Sequence, residues 1–316
     1  MQHGVAVVGA GPLGAATARE LVHRGVPNVV LLDGESPDDH SAPRAAYRSS
    51  GGSICWYRSD PAKAELIRTT AEHVQRRVAD GARIDVRELP YLLLEHGVQV
   101  PALNVNSSEL VTDLVGEATR GGALLQRTGV VDAVTPTQTG WEVRSGPDSG
   151  AGTVTATVVV LALGAGNVSL LPGLQPRLEK RQLFVLDLPV DEDRARIPHV
   201  VARVGHGYAY VFVKNLPEGQ RVVLGHEDLV PDDDPTGPVD YLAQLLEAGV
   251  ADAFPFLGAA RADRILWGMD WADKFPRVCV GAQPTLLAIN CGSGVRACIG
   301  AGRAAADAVE RALSAA

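Results

Sequence analysis

The 316-residue chain is poor in several kinds of feature that would point to common roles. It has four cysteines, Cys55, Cys279, Cys291 and Cys298, and no CxxC pair among them. Their spacing matches no metal template, and the eight histidines are equally scattered. No metal is expected, and the cysteines read as free buried thiols, which behave as small hydrophobes. Basic runs are missing too. The formal charge of −8 and the pI near 5.5 make nucleic acid and anionic membrane surfaces poor partners. No apolar stretch approaches the roughly 20 residues that span a bilayer. The N-terminus has no basic segment leading into a long apolar one. These absences predict a cytoplasmic protein. No catalytic triad and no obvious carboxylate pair stands out.

What is present is an ordinary globular composition, 46% hydrophobic and 21% charged, enough to bury a sizeable core. Residues 5–35 read VAVVGAGPLGAATARELVHRGVPNVVLLDGE. A buried strand runs into a glycine turn, a helix follows, and a second buried strand, Val29–Leu32, ends at the acid Asp33. Each glycine has its own task. Gly9 permits the tight turn, Gly11 lets backbone N–H groups reach a pyrophosphate, and Gly14 lets helix and strand pack closely. The helix N-terminus adds about half a positive charge toward the phosphates. Asp33, about 20 residues beyond the turn, is placed to accept from ribose hydroxyls. The motif selects an ADP-ribose moiety without choosing between NAD and FAD.

A long polar loop at 34–60 is too long to be a mere connector. A helix is predicted from Pro61 to Val78, and a strand over Leu89–Leu94. Another helix, capped by Ser107 or Ser108, runs to about Thr119, and a hairpin covers Val130–Val134 and Trp141–Val143. The strand Val154–Leu163 meets GAGN, but Ser169 and Pro172 argue against a second dinucleotide site there. From about 173 the pattern becomes short alternating strands, the mark of an antiparallel sheet. A helix near 239–248 follows. The last stretch, strand Leu286–Asn290, then CGSG, then an alanine-rich helix, looks set to rejoin the first sheet.

Four segments in this order, the opening motif, SSGGS at 49–53, VVVLALGAGN, and CGSG…GAGRAAADAV, resemble the D-amino-acid oxidase, glycine oxidase and sarcosine oxidase family of FAD-dependent amine oxidoreductases. Weaker matches at 207–225 and 267–281 extend the resemblance over nearly the whole chain. It implies an α/β fold: a Rossmann-like FAD-binding domain (1–82, 106–172 and 276–316) plus a mostly antiparallel substrate domain (83–105 and 173–275). Gly9, Gly11, Pro12, Leu13, Gly14 and Asp33 would hold the ADP half of FAD. Ser49, Ser50 and Gly51 would lie near the pyrophosphate and flavin, and Val130 would meet the adenine through its backbone. Gly164 would belong to a strand-end turn near FAD, with Gly292, Ser293 and Gly294 beside the flavin ring. No cysteine falls where the sarcosine oxidase branch links its flavin, so FAD is expected to be non-covalent.

Two departures matter. Many relatives place a carboxylate-clamping arginine where this chain has Asp270. A carboxylate cannot replace a bidentate guanidinium. Either Arg48, Arg58, Arg203 or Arg296 supplies the clamp, or the substrate has no carboxylate there. Asp270 would then attract an ammonium or be a plain surface acid. The second departure is Val223, which occupies the position of the lysine that assists oxygen in the sarcosine oxidase branch. For the substrate, Tyr57, Tyr210 and Trp267, with Trp56 and Tyr208, form a candidate aromatic box, or are ordinary sheet aromatics. Tyr210 and His226 are the candidate catalytic groups. The implied reaction is oxidation of a C–N bond of a small amine, amino acid or imino acid, the electrons leaving to oxygen or another acceptor. The alternatives are a dehydrogenase or tailoring enzyme acting on a cyclic amine, imine or hydroxy acid, and a nucleotide-binding protein without turnover.

Overall fold

The computed structural model describes residues 2–34, 46–56, 60–146, 152–164, 170, 178–190, 197–204, 207–216, 218–226, 237–258, 260–271, 277–281, 283, 285–292 and 294–315. The chain opens with β1 (Gln2–Val8), α1 (Pro12–His23) and β2 (Val29–Asp33). β3 (Ser53–Ile54), α2 (Pro61–Ala79), β4 (Val86–Glu88), β5 (Tyr91–Leu93), β6 (Val98–Val100) and β7 (Leu103–Val105) follow. Next come α3 (Ser107–Arg120), β8 (Leu124–Arg127), a hairpin of β9 (Val131–Thr137) and β10 (Gly140–Ser145), and β11 (Thr153–Leu161). β12 (Leu178–Leu186), β13 (His199–Val204), β14 (Gly207–Leu216) and β15 (Gly219–His226) precede the short helices α4 (Leu242–Leu245) and α5 (Ala251–Ala253). The chain closes with β16 (Ala262–Trp271), β17 (Arg277–Val280), β18 (Leu286–Asn290) and α6 (Gly294–Ala315).

The first sheet has the order β17-β18-β11-β1-β2-β8, and its strands from β18 to β8 run parallel. Parallel strands need cover on both faces, and alternation along β1 supplies it. Val5 and Val7 join α1 and α6 in one core, while Ala6 and Val8 meet Trp141 and Val143 of the hairpin in another. Burying each such Val or Leu contributes about 1.5–3 kcal/mol. Small residues bring α1 and α6 together: a Cβ on Gly302 would lie 2.8 Å from the Ala16 carbonyl carbon.

The second sheet, β16-β12-β15-β14-β13-β5-β6, is antiparallel except where β13 meets β5. One face carries Leu183, Val185, Phe212 and Val223, with Tyr210 and Leu266 beside them. The opposite face packs Phe184, Val211, Val213, Val222 and Leu224 against Tyr241, Leu245 and Phe254. β3, β4 and β7 make a small third sheet. No helix among the described residues is long and apolar enough to cross a membrane.

Three local expectations change. Asn106, not Ser107 or Ser108, caps α3, accepting from the N–H groups of Ser108 and Glu109. An amide carbonyl one residue earlier satisfies the same orphan donors, which frees the Ser107 hydroxyl to donate to the Tyr47 carbonyl at 2.7 Å. The helix expected near 239–248 begins only at Leu242, as α4, and continues in a wider helical turn over Leu246–Val250, where Gly249 at φ +108° separates it from α5. The strand over 89–94 shrinks to β5, since Leu94–His96 winds into a 3-10 turn.

α1, α2 and α3 are held by ion pairs as well as by apolar packing. Arg77 binds Asp113 through two contacts of 2.8 and 2.7 Å, and Arg19 binds Glu117 at 2.9 Å. His73 Nε2 lies 3.2 Å from the same Glu117, at an angle too poor for a full hydrogen bond. Burial alone would push Glu117 up, but His73 and the Arg19 guanidinium outweigh it and hold the carboxyl at about 2. His73, Asp113 and Glu117 have a metal-like spacing. The two arginines already neutralise the carboxylates, so the cluster is a helix clasp.

Candidate active site

The glycine turn behaves as its chemistry requires. Gly9 adopts φ +101°, and its N–H donates to the Leu32 carbonyl at 2.8 Å. A Cβ on Gly14 would sit 1.8 Å from the Gly9 carbonyl oxygen, so helix and turn approach as closely as a hydrogen side chain allows. Gly11 is different. Its backbone is extended, and among the described residues the only atom near a Cβ there is Tyr47 Cδ1, 3.9 Å away. The described residues leave the space in front of Gly11 clear. α1 begins at Pro12 with no side-chain cap and no acid in its first turn, so the N–H groups of Leu13 and Gly14 face that clear space. Asp33 closes β2, and its carbonyl accepts from Thr128 at 2.9 Å. The Val130 carbonyl accepts from the Gly146 N–H at 2.9 Å.

α6 starts beside this turn. Leu13 Cγ lies 3.8 Å from where a Gly294 Cβ would be, so two helix N-termini converge on one groove. Gly292 stands two residues before α6 begins, and Ser293 between them lies outside the described residues. Residues fit for an anion-bearing dinucleotide thus line the groove: an open glycine, the uncapped start of α1, the neighbouring start of α6 and an acid at the end of β2.

The groove's other wall is the second sheet. Residues two apart on a strand share a face, so Tyr210, Phe212 and Lys214 of β14 point the same way. A Cβ on Gly51 would lie 2.6 Å from Phe212 Cζ, and Lys214 Nζ donates to the Ser50 carbonyl, so this face meets the 50–51 loop. The Ser49 side chain is outside the described set. Tyr210 lies across Gly225, where a Cβ would fall 2.2 Å from its ring. His199 stacks between Tyr91 and Phe212, with ring centroids 4.7 and 4.6 Å away, and Tyr210 tilts 5.9 Å from it. Burial and, secondarily, the Arg296 charge push His199 down to about 3, so it is neutral at physiological pH. Arg296 stands in the first turn of α6, half-buried and with no carboxylate partner among the described residues.

The ladders sort the remaining candidates. Tyr210 pairs with Gly225, so His226, the next residue, points to the opposite face. It is buried there, with Nε2 3.4 Å from the Val204 carbonyl. The structure does not bring His226 to Tyr210's wall. Trp267 pairs with Gln182, whose side chain bonds Val239 on that same far face. Asp270 pairs with Glu179, two residues from Arg181, and therefore shares the Tyr210 face by alternation. Arg181 is bonded to Glu179. Arg48 is exposed, with its guanidinium 5.9 Å over the Tyr47 ring, and Arg203 pairs with Glu95 at 3.4 Å. Tyr57 and Arg58 lie outside the described residues. Trp271 ties the second sheet to the strand-end turn, its indole N–H donating to the Gly164 carbonyl at 2.5 Å. Sequence reasoning missed His199, Tyr91 and Lys214. Of these only Lys214 left a signal, as a charge interrupting an apolar alternation.

With this geometry in view, the comparisons are specific. A family model described as FAD dependent oxidoreductase matches residues 4–105 and 94–308. The chain belongs to that family and is an FAD-dependent oxidoreductase. Similar solved structures include an iminodiacetate oxidase from Chelativorans sp. BNC1, TM-score 0.73 at 18% identity, covering 97% of this chain and 95% of that one. An L-proline dehydrogenase from P. horikoshii gives 0.76 at 16%, covering 98% and 94%. A glycine oxidase from Geobacillus kaustophilus gives 0.70 at 19%, covering 98% and 95%. No curated protein sequence matches the chain significantly.

Proposed function

We propose that this enzyme oxidises the C–N bond of a small amino-acid-like or imino-acid substrate, with its carboxylate held by Arg296. The observation that carries the reading is the placement of Arg296: a guanidinium in the first turn of α6 with no carboxylate partner among the described residues, its charge acting on His199 of the aromatic wall with Tyr91 and Tyr210. An arginine in a low-dielectric cleft favours a carboxylate through paired, charge-assisted hydrogen bonds. It would take over the task that relatives give to an arginine at the position of Asp270. FAD, when bound, accepts the hydride from the carbon next to nitrogen. The chain's own part is positional. Gly11 and the two helix starts would seat the cofactor, Asp33 would hold its ribose, and the ring wall would exclude water. Asp270, beside the Glu179–Arg181 pair, would put a negative charge at one edge of this face, suited to the substrate's nitrogen.

The sheets also support a division into an FAD-binding portion (1–82, 106–172, 276–316) and a substrate portion (83–105, 173–275), since the two large sheets draw on those separate segments. Oxygen is the acceptor in this reading. Bound flavin that stays reduced in air would make the enzyme a dehydrogenase instead. The test of the clamp is Arg296→Met. It should raise KM about tenfold to a hundredfold for carboxylate-bearing substrates and leave amines without a carboxylate unaffected. Equal effects on both would remove Arg296 from the carboxylate site.

A further inference from the structure

Lys214 is a charged residue on a strand that is otherwise apolar in alternation, and it is only 6% exposed. No carboxylate pairs with it among the described residues. Its ammonium donates to the backbone carbonyl of Ser50. Asp85 and Arg87 line the same small cavity of about 10 Å³, room for roughly one water. Arg221 lies opposite on the ladder. Burial pushes Lys214 down to about 8. A buried cation of this kind is expensive unless it does something that an apolar residue cannot.

The peptide it holds shows what that is. The described chain contains no cis bond, and in a planar trans peptide the C=O and N–H point in opposite directions. With the Ser50 carbonyl turned into the second sheet, the N–H of Gly51 must point the opposite way, away from that sheet. Its neighbours are satisfied within the loop: Ser50 N–H donates to the Tyr47 carbonyl at 3.1 Å, and Gly52 N–H to Ser50 Oγ at 3.2 Å. Gly51 N–H has no partner among the described residues. Phosphates belong at Gly11, next to Tyr47, whereas Gly51 abuts Phe212 at the far wall. That end of the groove is where the ring system of FAD would lie.

We propose that Lys214 is a positioning residue which, by gripping the Ser50 carbonyl, aims the Gly51 N–H as a hydrogen-bond donor at the flavin ring. The grip also polarises the shared peptide and makes that N–H a stronger donor. The inference rests on FAD occupying this groove, and the test separates the two claims. FAD and ADP affinities, and the reduction potential of bound flavin, are measured for wild type, Lys214→Met and Lys214→Arg. The Met variant should bind FAD about tenfold more weakly while binding ADP like wild type. Its potential should fall by about 30 mV, a tenfold loss of preference for the reduced ring. The Arg variant, which keeps a donor, should retain most FAD affinity. Unchanged FAD affinity and potential in a folded Met variant overturns the proposal. So does equal weakening of ADP, which would put the donor on the phosphates. Wild type that binds ADP but never FAD overturns the cofactor placement, and this proposal with it. Should the Met variant fail to fold, amide exchange in wild type decides. Gly51 N–H must be slowed by FAD and not by ADP, and equal slowing or none overturns the assignment.

Discussion

Gly11 and Gly14 stand three residues apart, yet replacing each by alanine should break different things. At Gly14 the new methyl would lie 1.8 Å from the Gly9 carbonyl oxygen and 3.1 Å from Ala162 Cβ, where ordinary contact needs at least 3.4 Å. The obstacle is backbone, so α1 must retreat from the turn by well over an ångström and drag Leu13 and Ala15 from their cores. Overpacking of this severity costs about 3 kcal/mol or more, lowering Tm by about 6–12 °C for a domain of this size. Gly11 has no such neighbour among the described residues. Its φ of −66° suits any residue, and Tyr47 Cδ1 at 3.9 Å is in comfortable contact. The apo-protein of Gly11→Ala should therefore keep its Tm, the stability changing by less than about 0.5 kcal/mol. FAD affinity should instead collapse by about a hundredfold, near 3 kcal/mol, because the methyl occupies the space kept for the pyrophosphate. The assay is thermal unfolding of the apo-protein beside an FAD titration followed by flavin fluorescence. A stable Gly11→Ala protein with wild-type FAD affinity would refute the reasoning, as would a Gly14→Ala protein with unchanged Tm.

The helix clasp has a pH signature. Glu117 is held at about 2 against an ordinary 4.5, so its contribution is complete above pH 4.5 and is lost as pH falls toward 2. For a half-buried group that loss is about 2 kcal/mol, and Glu117→Gln should flatten this part of the Tm–pH curve. An unaltered acid slope in the Gln variant would put the acid sensitivity elsewhere. Gly225→Ala should push the Tyr210 ring aside, since the methyl would fall 2.2 Å from it. KM for substrate should rise while FAD affinity stays constant, and loss of FAD binding instead would place Tyr210's wall at the cofactor.

The parts legible in the sequence were those governed by local chemistry. Gly9, Gly14 and the run Val5–Val8 announce a strand, turn and helix because steric demands within a few residues decide them. The switch to alternating strands after about 173 was equally visible and is the second sheet. What stayed hidden depends on register. Tyr210 and His226 look equally available until the Tyr210–Gly225 pairing sends His226 to the other face. Trp267 and Asp270 sit three apart on β16 and likewise end on opposite faces. Arg296 was one of four arginines, singled out only when α6 docked beside α1. The stack of Tyr91, His199 and Phe212 joins β5 to the β13–β14 hairpin, which lies far along the chain from it. Asn106 won the cap from Ser107 because one hydroxyl had a better use on Tyr47.

The most direct test is anaerobic mixing of the FAD-loaded protein with α-amino acids, N-substituted and cyclic imino acids, carboxylate-free amines and hydroxy acids. Loss of the visible flavin band is expected with amino- or imino-carboxylates and not with hydroxy acids. Bleaching by hydroxy acids alone would contradict C–N oxidation at the Arg296 cleft.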